Sequence, residues 1–252
     1  MITAYHRPQT LDEALTLLTQ TNTVPLGGGT LLSHPIADSV QVVDLQALGL
    51  DSLTKNGNNL ELGATLTLQA LLESEHCPEA LKSALKLEAP LNIRNSATIA
   101  GTLVACDGRS TFASMLLAMD AKITISSKQK AEETINIGDL LPLREQVRGK
   151  LITKIAIPLN IKLAFEFVAR TPADKPIVCA ALAQWTSGRT RLVLGGYGKS
   201  PMLAMDGTEA DGVEPAARNT YHEATDAWAS AEYRIDVAST LAKRCLTKIS
   251  YD

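Results

Sequence analysis

Leu91-Asn92-Ile93-Arg94-Asn95-Ser96-Ala97-Thr98-Ile99-Ala100-Gly101-Thr102-Leu103 places small residues and threonines in a turn between apolar runs. Far upstream, Pro25-Leu26-Gly27-Gly28-Gly29-Thr30-Leu31-Leu32 repeats the device. Glycine permits positive φ and close approach of the backbone to a neighbour. Two such turns in one domain can aim main-chain N–H groups at a shared anion, such as the pyrophosphate of a dinucleotide. The glycine triplet also reads as an ordinary hairpin turn when taken alone. It does not match GxGxxG, because Leu32 stands where the last glycine belongs, so a Rossmann site is disfavoured.

Other motifs are weaker. Gly198-Lys199-Ser200 resembles the end of a P-loop, yet Val193 holds the first-glycine position. Ser-x-x-Lys recurs from Ser52, Ser83 and Ser127, a repetition that marks it as chance. Asp107-Gly108-Arg109 reads first as a turn. Cys77, Cys106, Cys179 and Cys245 lie far apart, as do His6, His34, His76 and His222, so no ligand spacing for a metal appears. Any iron–sulfur cluster would sit on another chain.

The chain has 252 residues, enough for one large domain or two small ones. Its formal net charge of −3, without basic clusters, gives no sign of nucleic-acid binding. Apolar runs fall short of a membrane span, and the N-terminus lacks a signal-peptide pattern. The expectation is a cytoplasmic protein.

Thr10-Leu11-Asp12-Glu13 is a capping box, followed by Leu11, Ala14, Leu15 and Leu18 at helical spacing, so a helix is expected over 11–20. Strands are expected at 24–26, 40–45, 60–63, 122–125 and 151–157. Helices are expected at 67–75 and 79–87, and around Phe112, Met115, Leu116 and Met119. Beyond Pro158 the composition changes. Segments 164–168, 177–185 and 191–194 read as an antiparallel sheet, 197–222 as a long irregular connection, and 224–247 as a long helix. On that helix Tyr233, Val237, Leu241 and Cys245 form one stripe.

The combination of motifs carries more than any one. Tyr5-x-Arg7-Pro8, the glycine turn, Ile93-Arg94-Asn95-x-Ala97-Thr98-Ile99-x-Gly101, Leu116-Leu117-Ala118-Met119-Asp120-Ala121 and Ser230-Ala231-Glu232-Tyr233-Arg234 follow in order. Together they resemble the FAD-binding medium subunit of the molybdenum hydroxylases, a family that includes carbon monoxide dehydrogenase and xanthine dehydrogenase flavoproteins. The resemblance covers nearly the whole chain. It implies an α+β fold of the vanillyl-alcohol-oxidase type. Residues 1–158 would form the FAD-binding domain, in subdomains of about 1–52 and 53–158. Residues 159–252 would form a small α+β domain with a three-stranded antiparallel sheet. By the same resemblance Leu26, Gly27, Gly28, Gly29, Thr30 and Leu31 form one phosphate loop. Ala97, Thr98, Ala100, Gly101 and Thr102 form the other, with the Thr30 and Thr98 hydroxyls assisting. Leu151 and Tyr197 complete the candidate set; Tyr197 would either cover the flavin ring or face solvent.

The chain departs from the family at four places. Ala100 replaces a glycine and Thr102 an asparagine. The expected acidic residue falls at Ser110 or Thr111. Glu166 replaces a lysine near the flavin, where a carboxylate would oppose negative charge; alternatively it is a solvated residue on a strand edge. The function implied is that of a flavoprotein oxidoreductase subunit. It would pass electrons through FAD from iron–sulfur clusters on a small subunit, beside a large molybdenum-cofactor subunit, to an external acceptor. The competing expectation is a scaffold relative that binds FAD weakly or not at all. A free-standing reductase resembling the enolpyruvyl-sugar reductases lacks its Ser or Glu proton donor here. No general acid or base is named by the sequence.

Overall fold

Thr10 caps the first helix: its hydroxyl accepts from Glu13 N at 3.2 Å, while the Glu13 carboxylate reaches one residue further back than a capping box requires and accepts from Gln9 N at 3.0 Å. In this computed structural model, which describes residues 1–34 and 38–251, the chain begins β1 (Ile2–His6), α1 (Leu11–Leu18), β2 (Thr23–Leu26), β3 (Val40–Asp44), β4 (Leu53–Asn56), β5 (Asn59–Gly63) and α2 (Leu68–Glu73). It continues through α3 (Glu79–Glu88), α4 (Leu91–Arg94), α5 (Ile99–Ala105), α6 (Thr111–Ala118), β6 (Lys122–Ser126), β7 (Glu133–Asn136) and α7 (Ile137–Leu140). The last third is β8 (Leu151–Pro158), β9 (Ile161–Val168), β10 (Val178–Trp185), β11 (Thr190–Gly195), β12 (Met202–Gly207), α8 (Val213–Thr220) and α9 (Ala231–Tyr251). No helix among the described residues is long and apolar enough to cross a membrane.

Two compact units share this chain, and each takes several segments. The first comprises residues 1–74, 91–105 and 122–156. It holds a three-stranded sheet in the order β1-β3-β2, with both outer strands parallel to β3. Pro25 is tolerated in β2 because that strand is an edge. Ala14, Leu15 and Leu18 of α1 bury against Val43, Leu45 and Leu151. The unit's second sheet has the order β4-β5-β8-β6-β7, and Leu60, Leu62, Ile123 and Ile155 are fully buried in it.

The second unit comprises residues 75–90, 106–121 and 157 onward. Its sheet is an antiparallel meander in the order β12-β11-β10-β9. Four strands stand where three were expected. The additional strand β12, and the helix α8, fall within the 197–222 segment read as irregular. Pro215 hid α8, yet it sits in the first turn, where a helix needs no N–H from it. One sheet face, through Ala180, Leu182, Leu192 and Leu194, packs on α8 and α9. Against the other lies α6, all eight of whose residues are buried, as a helix apolar all round must be. The cysteines are buried free thiols, and burial pushes Cys77, Cys179 and Cys245 up to about 12, so they serve as apolar filler.

The long helix starts at Ala231, later than expected, because Ser230 caps it: its hydroxyl accepts from Tyr233 N at 3.2 Å. Its buried stripe also differs. Tyr233 is 41% exposed, while Arg234 is fully buried. The guanidinium is hidden because it is satisfied. It donates to Ala224 O at 2.7 Å and to both oxygens of Asp226 at 2.9 and 3.1 Å.

Arg234→Ala removes a buried cation and strips Ala224 O of its donor. A loss of about 3–5 kcal/mol is expected in chemical denaturation, the scale for breaking a buried pair. The pH dependence follows from Asp226. Burial opposes its ionisation, but donors from Trp228 N, Arg234 and Ala229 N prevail and hold its carboxyl below the usual range. Its contribution is therefore complete above the unfolded value of about 3.9 and disappears as pH falls through the folded value. Asp226→Asn should be less stable than wild type at pH 7, and the two melting curves should converge under acid. A constant gap down to the lowest pH would refute this.

Candidate functional site

The three parallel strands end at one edge, and the chain segments leaving that edge include both family motifs of the N-terminal region. Arg7-Pro8 leaves β1, Gly27-Gly28-Gly29 leaves β2 and Leu45 leaves β3, the central strand. Such carboxyl edges, where the strand order reverses, are where open parallel sheets bind ligands. Asp44 closes β3 and is 3% exposed. Its carboxylate accepts from the Tyr5 hydroxyl and from Gln46 N at 2.9 Å, and lies 3.7 Å from Arg7 Nε. The Tyr5-x-Arg7 motif thus locks the first strand to the end of the third. Periodicity marks Asp44 only as the end of a strand, so its anchoring role was not legible.

The glycines of the first turn answer to different demands. A Cβ on Gly28 would stand 1.6 Å from Ser96 O, and one on Gly27 would stand 2.8 Å from Thr98 Oγ1. Gly29 takes φ +69°. The two turns therefore lie side by side, with the main chain of Ser96 and Ala97 pressed against Gly28 and the Thr98 side chain against Gly27. Beyond Gly29 the chain coils: Ser33 N donates to Gly29 O at 3.0 Å and His34 N to Leu31 O at 3.2 Å. Among the described residues, the N–H groups from Gly27 to Leu32 have no protein acceptor.

The second turn is the opposite case. Ala97 N donates to Ile93 O at 2.7 Å, Ile99 N to Leu66 O at 2.9 Å and Ala100 N to Ala64 O at 3.1 Å. Gly101 N donates to Thr98 Oγ1 at 3.2 Å, and Thr102 N and Oγ1 both donate to Thr98 O at 2.8 Å. The first turn of α5 thus spends its amide donors inside the protein. Thr98 is 7% exposed, and its hydroxyl is wedged between Gly27 and Gly101. Ala100 lies within helical α5 without positive φ, so alanine costs no strain there.

The other residues singled out by the sequence make the following contacts. The Leu151 side chain is in the core under α1. Tyr197 belongs to the second unit, where its ring packs on the sheet core with the Arg234 guanidinium 5.2 Å from its centroid, and its hydroxyl donates to Glu223 O at 3.3 Å. In that turn Gly108 N donates to Gly198 O at 2.9 Å, and a Cβ on Gly108 would meet Tyr197 O at 1.8 Å. Glu166 is paired with Lys248 of α9 at 2.5 Å. Where an acidic residue was expected at Ser110 or Thr111, a carboxylate arrives from α3 instead. Glu88 Oε2 accepts from Ser110 Oγ at 2.9 Å, Thr111 Oγ1 at 3.1 Å and Phe112 N at 2.9 Å.

The run of unclaimed amides beside Gly28 fits a diphosphate, whose oxygens need several donors from one concave backbone. Comparison with known proteins gives the family. Residues 1–160 match the family described as the FAD binding domain in molybdopterin dehydrogenase. The chain is 28% identical over 250 residues to the uncharacterized protein YgfM of Escherichia coli K12, covering 96% of this chain and 94% of that one. It is 25% identical over 221 residues to the glyceraldehyde dehydrogenase medium chain of Sulfolobus acidocaldarius, covering 81% and 78%. Its fold matches a chain of the reconstituted CO dehydrogenase from Oligotropha carboxidovorans with a TM-score of 0.83 at 23% identity, over 97% of this chain and 96% of that one. The chain belongs to the FAD-binding domain family of the molybdopterin dehydrogenases, the family of the CO dehydrogenase medium subunits.

Proposed function

We propose that this chain is the FAD-binding subunit of a molybdenum-dependent hydroxylase or dehydrogenase. It would pass electrons from iron–sulfur clusters on a small partner subunit, through FAD, to an external acceptor, with substrate oxidised on a large molybdenum subunit. The observation that carries the reading is the loop Gly27–Leu32, whose amides lack protein acceptors among the described residues at the carboxyl edge of a parallel sheet. FAD, when bound, supplies the redox chemistry. The chain's own residues bind and orient it. Gly27, Gly28, Gly29, Thr30 and Leu31 offer main-chain donors to the diphosphate. Thr98 and Gly101 hold that loop in shape from behind. Asp44, through Tyr5, fixes the strand ends from which the loop departs.

Purified protein that releases a flavin with its visible spectrum, or takes up added FAD, supports this function. A colourless protein that takes up none overturns it and leaves the scaffold role. Gly28→Ala drives a methyl into the Ser96 carbonyl and must shift the loop. If two charge-assisted hydrogen bonds to phosphate go with it, FAD affinity should fall about a hundredfold or more, read by fluorescence titration on protein whose circular dichroism is unchanged.

Ala100→Gly restores the family's residue but should leave affinity within about twofold, because the Ala100 amide is already spent on Ala64 O and a helical glycine offers nothing but cost. A large gain in affinity from Ala100→Gly would assign the second turn a direct role and refute the division of labour between the turns.

A further inference from the structure

In the second unit, β9 is an edge strand of eight residues, paired on one side only, with β10. Trp185 N donates to Arg189 O at 2.9 Å, so odd positions of β10 bond to β11 and even ones to β9. The register Gln184↔Lys162, Leu182↔Ala164, Ala180↔Glu166 then turns the main chain of those three β9 residues inward. The N–H and C=O groups of Ile161, Leu163, Phe165 and Phe167 face away from the sheet.

Two of the usual protections, proline and a bulge, are missing from this edge. Its sequence, Ile161-Lys162-Leu163-Ala164-Phe165-Glu166-Phe167-Val168, contains no proline, and its pairing with β10 has no bulge. The Phe165 and Phe167 rings stack at 6.0 Å, and Phe167 is 37% exposed. At mid-strand a groove of about 450 Å³ opens between Ser83 of α3 and Thr247 of α9, floored by Leu163, Ala164 and Phe165.

We propose that two copies of this chain pair through the groove, β9 against β9, antiparallel about a two-fold axis at Ala164. The charges select that occupant and that register. With Ala164 opposite its copy, Lys162 faces Glu166 of the second chain, and symmetry makes the contact twice. The outward amides of Leu163 and Phe165 then meet as a hydrogen-bonded pair. Lys162 and Glu166 fall on a non-hydrogen-bonded pair, where side chains approach most closely. Shifting the axis to Leu163 or Phe165 loses both ion pairs. Within one chain Lys162 Nζ donates to Ile249 O at 3.0 Å and Glu166 holds Lys248, so both charges are already positioned on the α9 face. Such an isologous contact closes on itself and does not propagate into fibres.

Sedimentation velocity on the full chain tests this without reference to flavin content, so its outcome is separable from that of FAD binding. Wild type should sediment as a dimer at micromolar concentration. Lys162→Glu leaves strand β9 with acidic side chains as its only charges, and Glu166→Lys leaves it with basic ones. Each should weaken the dimer about tenfold or more, since a like-charge contact appears twice, with melting temperatures that show both variants folded. An equimolar mixture of the two variants should recover the dimer, because the negative edge of one meets the positive edge of the other. A monomeric wild type, a dimer indifferent to both reversals, or a mixture that stays monomeric overturns the proposal.

Discussion

The contact between Gly28 and the Ser96 carbonyl organises the first unit. It is a steric constraint: the two backbones approach so closely that no Cβ fits between them. An amide donor cannot be left unpaired without cost unless water or a ligand reaches it. The chain resolves this by dividing the task. The turn at 96–102 bonds into the protein, to Ala64 O, Leu66 O, Ile93 O and Thr98, and becomes a rigid support. Among the described residues, the turn at 27–32 keeps its donors uncommitted, because its shape is imposed from outside by that support. A loop held by its neighbour need not spend its own amides on holding itself.

Carboxylates do comparable positioning at three other places. Asp44 gathers Tyr5, Arg7 and the amide of Gln46. Glu88 gathers two hydroxyls and an amide at the start of α6. Asp226 gathers two amides and the buried Arg234. In each case one acceptor-only group satisfies several donors that secondary structure leaves over, at helix starts and strand ends. Each of these networks joins segments that local sequence pattern alone would leave independent. Glu88 reaches the donors of Ser110 and Thr111 from another helix.

Elements whose signals are local were legible in the sequence. The capping box at Thr10, the 3.6-residue period of α1 and the alternation of β6 depend on neighbours a few residues away. The glycine turns were legible as turns, because glycine's freedom is a local property. What they touch was not: nothing near Gly28 in sequence names Ser96. The β12–α8 segment was misread because its proline and glycines mark breaks, while the pairing that makes Met202–Gly207 a strand comes from β11. The stripe on α9 was drawn through Tyr233 rather than Arg234 because a charge is presumed exposed until its partner, here Asp226, is known.

The same geometry distinguishes the positions of the second turn that have room for a side chain from those that do not. Two small residues stand side by side in the second turn, Ala100 and Gly101. A Cβ at Gly101 would come within 2.8 Å of the Thr98 hydroxyl that already accepts its amide, so that position admits only glycine without moving the strut. At Ala100 the backbone is helical and the amide is bonded, so a methyl is accepted and even favours the helix. Thr102 is likewise turned inward, its hydroxyl bonded to Thr98 O. Glycine therefore stands where sterics demand it, and alanine where only helix propensity is at stake. A motif substitution of this kind says little about the ligand. It separates the residues that build the support from the amides that the support leaves free.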